Sequence, residues 1–115
     1  MNSFGKEGEE SAAEFIKGKD FSILRRNYRY SRSGEIDIIA KKDNLILFIE
    51  VKNRNSSCHG GALYSISNKK KRALRFVASR FIEADASCRD GNITFRFDLI
   101  AIENGRIEWV EDIIR

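Results

Sequence analysis

The chain has 115 residues, 42% hydrophobic and 33% charged, with 21 Lys and Arg against 17 Asp and Glu for a net charge of +4. That balance describes one ordinary folded domain, 1–115, and excludes both a disordered polymer and a second domain. The longest apolar run, Leu45 to Ile49, is far short of the ~20 residues a membrane span requires, so no membrane partner is expected.

The first fifteen residues are acidic and carry neither a basic n-region nor an apolar h-region, so no secretory signal is read and a cytoplasmic protein is expected. From Gly5 to Lys19, Glu9, Ala12, Ala13 and Ile16 fall at i, i+3, i+4 and i+7, which predicts a helix with these residues on one stripe and acids in its first turn, where the macrodipole favours them. Residues 21–30, 35–40 and 45–52 are rich in Ile, Leu, Phe and Tyr and predict three consecutive strands. The segment 53–67, with Gly60-Gly61 and many small polar residues, reads as a long loop, of which 55–67 is expected to be mobile without ligand and ordered on nucleic acid. Ser67 is a candidate N-cap for a helix over 68–84, in which Leu74, Val77, Ala78 and Phe81 form the apolar face. A turn around 89–92, a strand over 93–102, the Asn104-Gly105 hairpin signal and a strand over 106–110 complete the chain. The order is αβββαββ. Because the second helix can carry strand three over to strand four, that pair should be parallel within an otherwise antiparallel sheet, giving an α/β fold with a mixed sheet.

The charges are segregated. Residues 21–34 carry four Arg and no acid, and residues 56–83 carry six basic residues against Glu83 alone, while 1–20 and 84–115 are net acidic. Such a chain can present one positive face to a polyanion, although basic runs are also common as plain solvated surface. Cys58 and Cys88 have no partner at ligand spacing and read as free thiols. His59 is the only histidine, which excludes metal sites built on two imidazoles, and no serine triad, P-loop or dinucleotide fingerprint is present.

Chemistry concentrates on the third strand. Glu50 and Lys52 are two apart and share a face, with Leu47, Ile49 and Val51 on the other. A two-residue turn at Asp43-Asn44 sets a register that puts Asp37 directly opposite Glu50. Opposed carboxylates are costly unless a cation or a lysine lies between them. Two carboxylates and a backbone carbonyl make a half-shell for Mg²⁺, and Lys52 beside it could orient an attacking water and offset charge on a phosphodiester. The plainer reading is a surface ion pair on a half-exposed strand.

The motifs Gly34-Glu35-Ile36-Asp37-Ile38-Ile39-Ala40 and Phe48-Ile49-Glu50-Val51-Lys52-Asn53-Arg54, followed by Gly60-Gly61-Ala62 and a Lys-rich helix start, resemble the YraN-like family of small predicted nucleases. That family is similar to archaeal Holliday-junction resolvases and belongs to the PD-(D/E)xK superfamily, which implies a restriction-endonuclease-like fold with helices packed on the sheet. The resemblance runs from Gly8-Glu9 to Arg96-Phe97-Asp98. It implies Asp37 and Glu50 as metal-binding acids, with the Val51 carbonyl beside them, and Lys52 as the catalytic lysine. Glu9 matches the family's helix-one glutamate and Lys70 a helix-two lysine that faces the site. The chain departs from the family's usual Glu at Tyr64 and its usual Leu at Ser11.

Other residues bear on binding. Lys69, Lys71 and Arg72, with Lys70, crowd cations into the first turns of the second helix against its macrodipole, which suits a phosphate backbone. Arg25, Arg26, Arg29 and Arg32 alternate with Tyr28 and Tyr30, a pattern fit for phosphate contacts and base stacking but also for a plain edge strand. The expectation is a Mg²⁺- or Mn²⁺-dependent endonuclease, a hydrolase acting on structured DNA, with branched DNA as one candidate substrate. Two alternatives stand beside it: a nucleic-acid-binding module that keeps the fold without cleaving, and an interaction protein that assembles through its sheet edge. A symmetric homodimer would suit an enzyme that cuts two strands, but the sequence identifies no interface.

Overall fold

Continuous buried runs in the central strands, Ile38–Ala40, Ile46–Ile49 and Leu99–Ile102, and an apolar stripe on each helix dictate three layers. The computed structural model describes residues 3–54 and 66–114. Helix α1 spans Ser3–Gly18, strands β1, β2 and β3 span Ser22–Arg29, Glu35–Lys42 and Leu45–Arg54, helix α2 spans Asn68–Ala84, and β4 and β5 span Thr94–Glu103 and Arg106–Val110. A short 3-10 turn at Ala86–Cys88, which the sequence did not announce, links α2 to β4. The strands form one sheet in the order β1-β2-β3-β4-β5, antiparallel throughout except for the parallel pair β3–β4. The α/β class, the mixed sheet and the helix-borne crossover are as the sequence predicts, and the arrangement is that of a restriction-endonuclease-like fold.

The two helices cover opposite faces. Ala12, Ala13 and Ile16 of α1 pack on Ile38, Ala40, Leu47, Ile49 and Ile100. Leu74, Val77, Ala78 and Phe81 of α2 pack on Ile36, Ile39, Ile46 and Phe48. Each Leu, Ile, Val or Phe so buried contributes about 1.5–3 kcal/mol, so the sheet is held from both sides and its ends are left for chemistry. Helix α2 begins where Ser67 caps it, its Oγ accepting from the Lys70 backbone N–H at 3.1 Å. Helix α1 starts earlier than its periodicity suggests, at Ser3, so its first turn holds no acid. The expected favourable contact of first-turn acids with the macrodipole is therefore absent, and Glu9 lies in the second turn.

Asn104 and Gly105 adopt positive φ of 51° and 80° in the tight turn between β4 and β5, as the hairpin signal requires. Among the described residues no helix is long and apolar enough to cross a membrane. Cys88 is a free thiol. Cys58, His59, Tyr64 and nearly all of the long loop lie outside the described residues.

Candidate active site at the end of strand β3

The β2–β3 ladder runs from Lys42–Leu45 to Ile38–Ile49 in the single register expected from the turn, whose next step would set Asp37 opposite Glu50. There the backbone ladder stops: the Val51 N–H donates to Asp37 Oδ2 at 2.8 Å instead. On the other side of β2 the register brackets Asn27 opposite Asp37, between the pairs Arg26–Ile38 and Tyr28–Ile36, and Asn27 takes a φ of 53°. Asp37 thus occupies the point where β3 parts from β2 while β1 stays paired with β2 through Tyr28–Ile36 and Arg29–Glu35, and its carboxylate takes up the Val51 N–H in place of backbone pairing.

Helix α1 closes this opening from one side. At Gly8 a Cβ would sit 2.6 Å from Asn53 Nδ2 and 2.7 Å from Asn53 Cβ, so only glycine lets the helix approach the end of β3 this closely. The approach carries Glu9 over the sheet, where Asn27 Nδ2 donates at 2.8 Å to Glu9 Oε1 and at 2.8 Å to Glu35 Oε2. The second Glu35 oxygen accepts from Arg29 at 2.7 Å. Glu9, Glu35 and Asp37 each offer a carboxylate oxygen, and these lie within 4.8 Å of one another. From the α2 side, Lys70 Nζ stands 3.4 Å from Glu50 Oε2. Lys70 thus supplies a cation beside Glu50.

The electrostatics follow from burial. Asp37 is raised from 3.8 to about 7, first by desolvation and then by the neighbouring Glu50 charge, with the Val51 N–H partly opposing the shift. Glu50 is raised too, chiefly by burial, with Lys70 and then Lys52 pulling the other way. Burial also pushes Glu35 up, but its hydrogen bonds to Arg29 and Asn27 and the Arg29 charge outweigh this and leave it below the usual range. Glu50 Oε1 is buried and has no hydrogen-bond partner in the structure. A buried acceptor without a donor costs about 1–3 kcal/mol, and a hard dication would satisfy it while relieving the Asp37–Glu50 repulsion. Carboxylate and carbonyl oxygens are the donors that Mg²⁺ and Mn²⁺ prefer, so these residues fit such an ion.

Lys52 lies on the Glu50 face of β3, while Leu47, Ile49 and Val51 face α1. The four arginines do not gather on one face. Arg25 pairs with Asp85 at 2.8 Å, Arg26 with Glu10 at 3.1 Å and Arg29 with Glu35 at 2.7 Å. Arg32 joins Arg29, Ser31, Gly34 and Glu35 around a cavity of about 150 Å³. β1 is an edge strand, and its alternation is the ordinary two-sided kind. Lys69 and Arg72 are exposed and Lys71 is half-buried; Ser11, the family departure on α1, is exposed.

Glu35 and Asn27 were not singled out by sequence. The signal for Glu35 was available: it is two residues before Asp37 on the same strand and so shares its face. Asn27 carries none beyond its tolerance of positive φ, and its role comes from strand pairing that residue identity does not reveal.

Residues 8–102 match the model of a family described as "Uncharacterised protein family UPF0102". A UPF0102 protein of Chloroherpeton thalassium is 41% identical over 100 residues, covering 87% of this chain and 74% of that protein. One from Caldicellulosiruptor saccharolyticus is 41% identical over 98 residues, 85% of this chain and 80% of its own length. Another, from Nitrosomonas europaea, is 35% identical over 118 residues, covering 97% and 96%.

Proposed function

The chain belongs to the family UPF0102, and from that premise and the site at the end of β3 we propose that it is a Mg²⁺- or Mn²⁺-dependent endonuclease acting on structured, branched DNA. One observation carries the reading: Asp37 and Glu50 are held together in a buried opening of the sheet, and Glu50 Oε1 has no protein partner. Lys70 meets only Oε2 of Glu50, and a buried carboxylate pair with an unmet acceptor is one that a bound divalent cation would complete.

Asp37, Glu50 and the Val51 carbonyl would hold the ion. When bound, a divalent cation lowers the pKa of water and offsets charge on a phosphoryl oxygen. The remaining work falls to the chain. Lys52 Nζ orients the attacking water and stabilises negative charge growing on the phosphate as the ester bond breaks in line. Lys70 is a positioning residue that fixes the Glu50 carboxylate through Oε2, leaving Oε1 to turn inward. Glu9, held by Asn27, adds negative charge at the site and so favours a cation there.

The experiment is incubation of the protein with labelled four-way junctions, flaps, nicked and intact duplexes, and single strands, in Mg²⁺, in Mn²⁺ and in EDTA. Cleavage of at least one branched substrate that requires the metal supports the reading. Binding without cleavage across the whole panel would replace it with a nucleic-acid-binding module built on the same fold.

A further inference from the structure

The two most exposed large hydrophobic residues among those described are Tyr30, 41% exposed, and Phe76, 45% exposed. They come from different elements yet meet: their ring centroids are 5.8 Å apart with planes at 70°. The contact exists because Gly34, at φ 146°, lets the β1–β2 turn close on α2, where an added Cβ would sit 3.2 Å from Ala73 Cβ. The Arg80 guanidinium lies 5.7 Å from each ring centroid and is ion-paired with the exposed Glu83 one turn on, a pairing that a phosphate would have to displace. Along α2, Lys69, Arg72, Phe76 and Arg80 recur at i, i+3, i+7 and i+11, one helical stripe beside the buried face. Thus the two acid-poor segments of the chain converge on one surface of aromatic rings set among cations.

We propose that this surface binds an unpaired DNA strand, with bases stacking on Tyr30 and Phe76 and phosphates paired with Lys69, Arg72 and Arg80. Flat rings interleaved with cations are the general means of holding single strands without sequence preference. The surface also leads to the site. Ser31, next to Tyr30, lines the cavity shared by Arg29, Arg32 and Glu35, and Glu35 stands with Asp37 in the acid cluster. A strand passing from the rings through the two arginines arrives at the acids. A second copy of this chain is disfavoured as occupant, because a two-fold contact would set Lys69, Arg72 and Arg80 against themselves. The inference rests on the nuclease reading for its purpose, since it makes the substrate a duplex with an unpaired arm, but not for its test.

The test is fluorescence anisotropy in EDTA with a labelled oligothymidylate and a blunt duplex of equal length. For Tyr30→Ser/Phe76→Ser, single-strand affinity should fall about tenfold or more, while duplex affinity stays within about twofold of wild type. Equal binding of the single strand by wild type and variant, or equal loss on both ligands, overturns the proposal. So does a size measurement in which wild type is a dimer and the variant a monomer. If the variant fails to fold, photocrosslinking of wild type to a 5-iodouracil-substituted single strand decides: adducts at Tyr30 and Phe76 support the site, and adducts only elsewhere refute it. Because no cleavage is needed, selective single-strand binding without nuclease activity would sink the nuclease reading alone. Metal-dependent cleavage with unaltered single-strand binding by the variant would sink this one alone.

Discussion

Burial decides the behaviour of Asp37, together with the Glu50 charge that repels it, the Val51 N–H that it accepts from, and the smaller charges of Glu9 and Glu35. Its folded value of about 7 against an ordinary 3.8 means that, between these pH values, the folded state holds a proton that the unfolded chain has lost. Stability is therefore fully present below about pH 4 and is lost as pH rises to about 7, by an amount on the order of 1–4 kcal/mol. Urea unfolding of the metal-free protein in EDTA should show that fall between pH 5 and pH 7.5. Asp37→Asn keeps an acceptor for the Val51 N–H and removes the charge, so its stability should fall clearly less over the same range, by what the raised Glu50 alone contributes. Adding Mn²⁺ at pH 7.5 should restore wild type and do little for the variant. A wild-type profile without this slope would show that Asp37 ionises freely.

Among the elements, α1 and α2 are positioned by different devices, and this explains what was legible beforehand. The bounds and buried face of α2 follow from its Ser67 cap and its apolar spacing, both local properties. The β2–β3 register follows from a two-residue turn, also local, and with it the Asp37–Glu50 pairing. By contrast, α1 begins before its periodic residues do, and its approach to β3 depends on Gly8 meeting Asn53, 45 positions away. The link from Asn27 to Glu9 and the pairing of Arg25 with Asp85 and Arg26 with Glu10 likewise depend on contacts distant in sequence. Gly8→Ala should therefore push α1 off the sheet: we expect a loss of about 1–3 kcal/mol by denaturant unfolding and weaker metal affinity as Glu9 withdraws. Unchanged stability would mean that the helix and strand do not meet as described. At the start of α2, neutralising Lys69, Lys71 and Arg72 should weaken binding to all DNA sequences alike and flatten the log–log salt slope by about 0.9 per lost phosphate contact. An unaltered slope would mark these cations as solvated surface only.

Across the molecule, the architecture separates stability from chemistry. Asp98, fully buried on β4, is satisfied completely: Arg96 donates to both its oxygens at 2.9 Å, Trp109 Nε1 to Oδ2 at 2.8 Å and the Asp112 N–H to Oδ1 at 2.9 Å. It ties the chain after β5 to the sheet, and Asp98→Ala should cost about 1–3 kcal/mol by leaving the Trp109 Nε1–H and Asp112 N–H donors unmet, while Arg96 keeps Glu111, without altering metal affinity of the folded fraction. Glu50 is the opposite case, an acid whose inner oxygen the protein leaves unmet. That contrast is the core of the account, and the single-turnover cleavage rate of a branched substrate as a function of Mn²⁺ concentration tests it most directly. Glu50→Gln should need far more metal and cut far more slowly, whereas Lys52→Ala should keep the wild-type metal midpoint and lose on the order of 10²–10⁴ in rate. A wild type that cuts nothing at any metal concentration, or two variants that match it, would contradict the assignment.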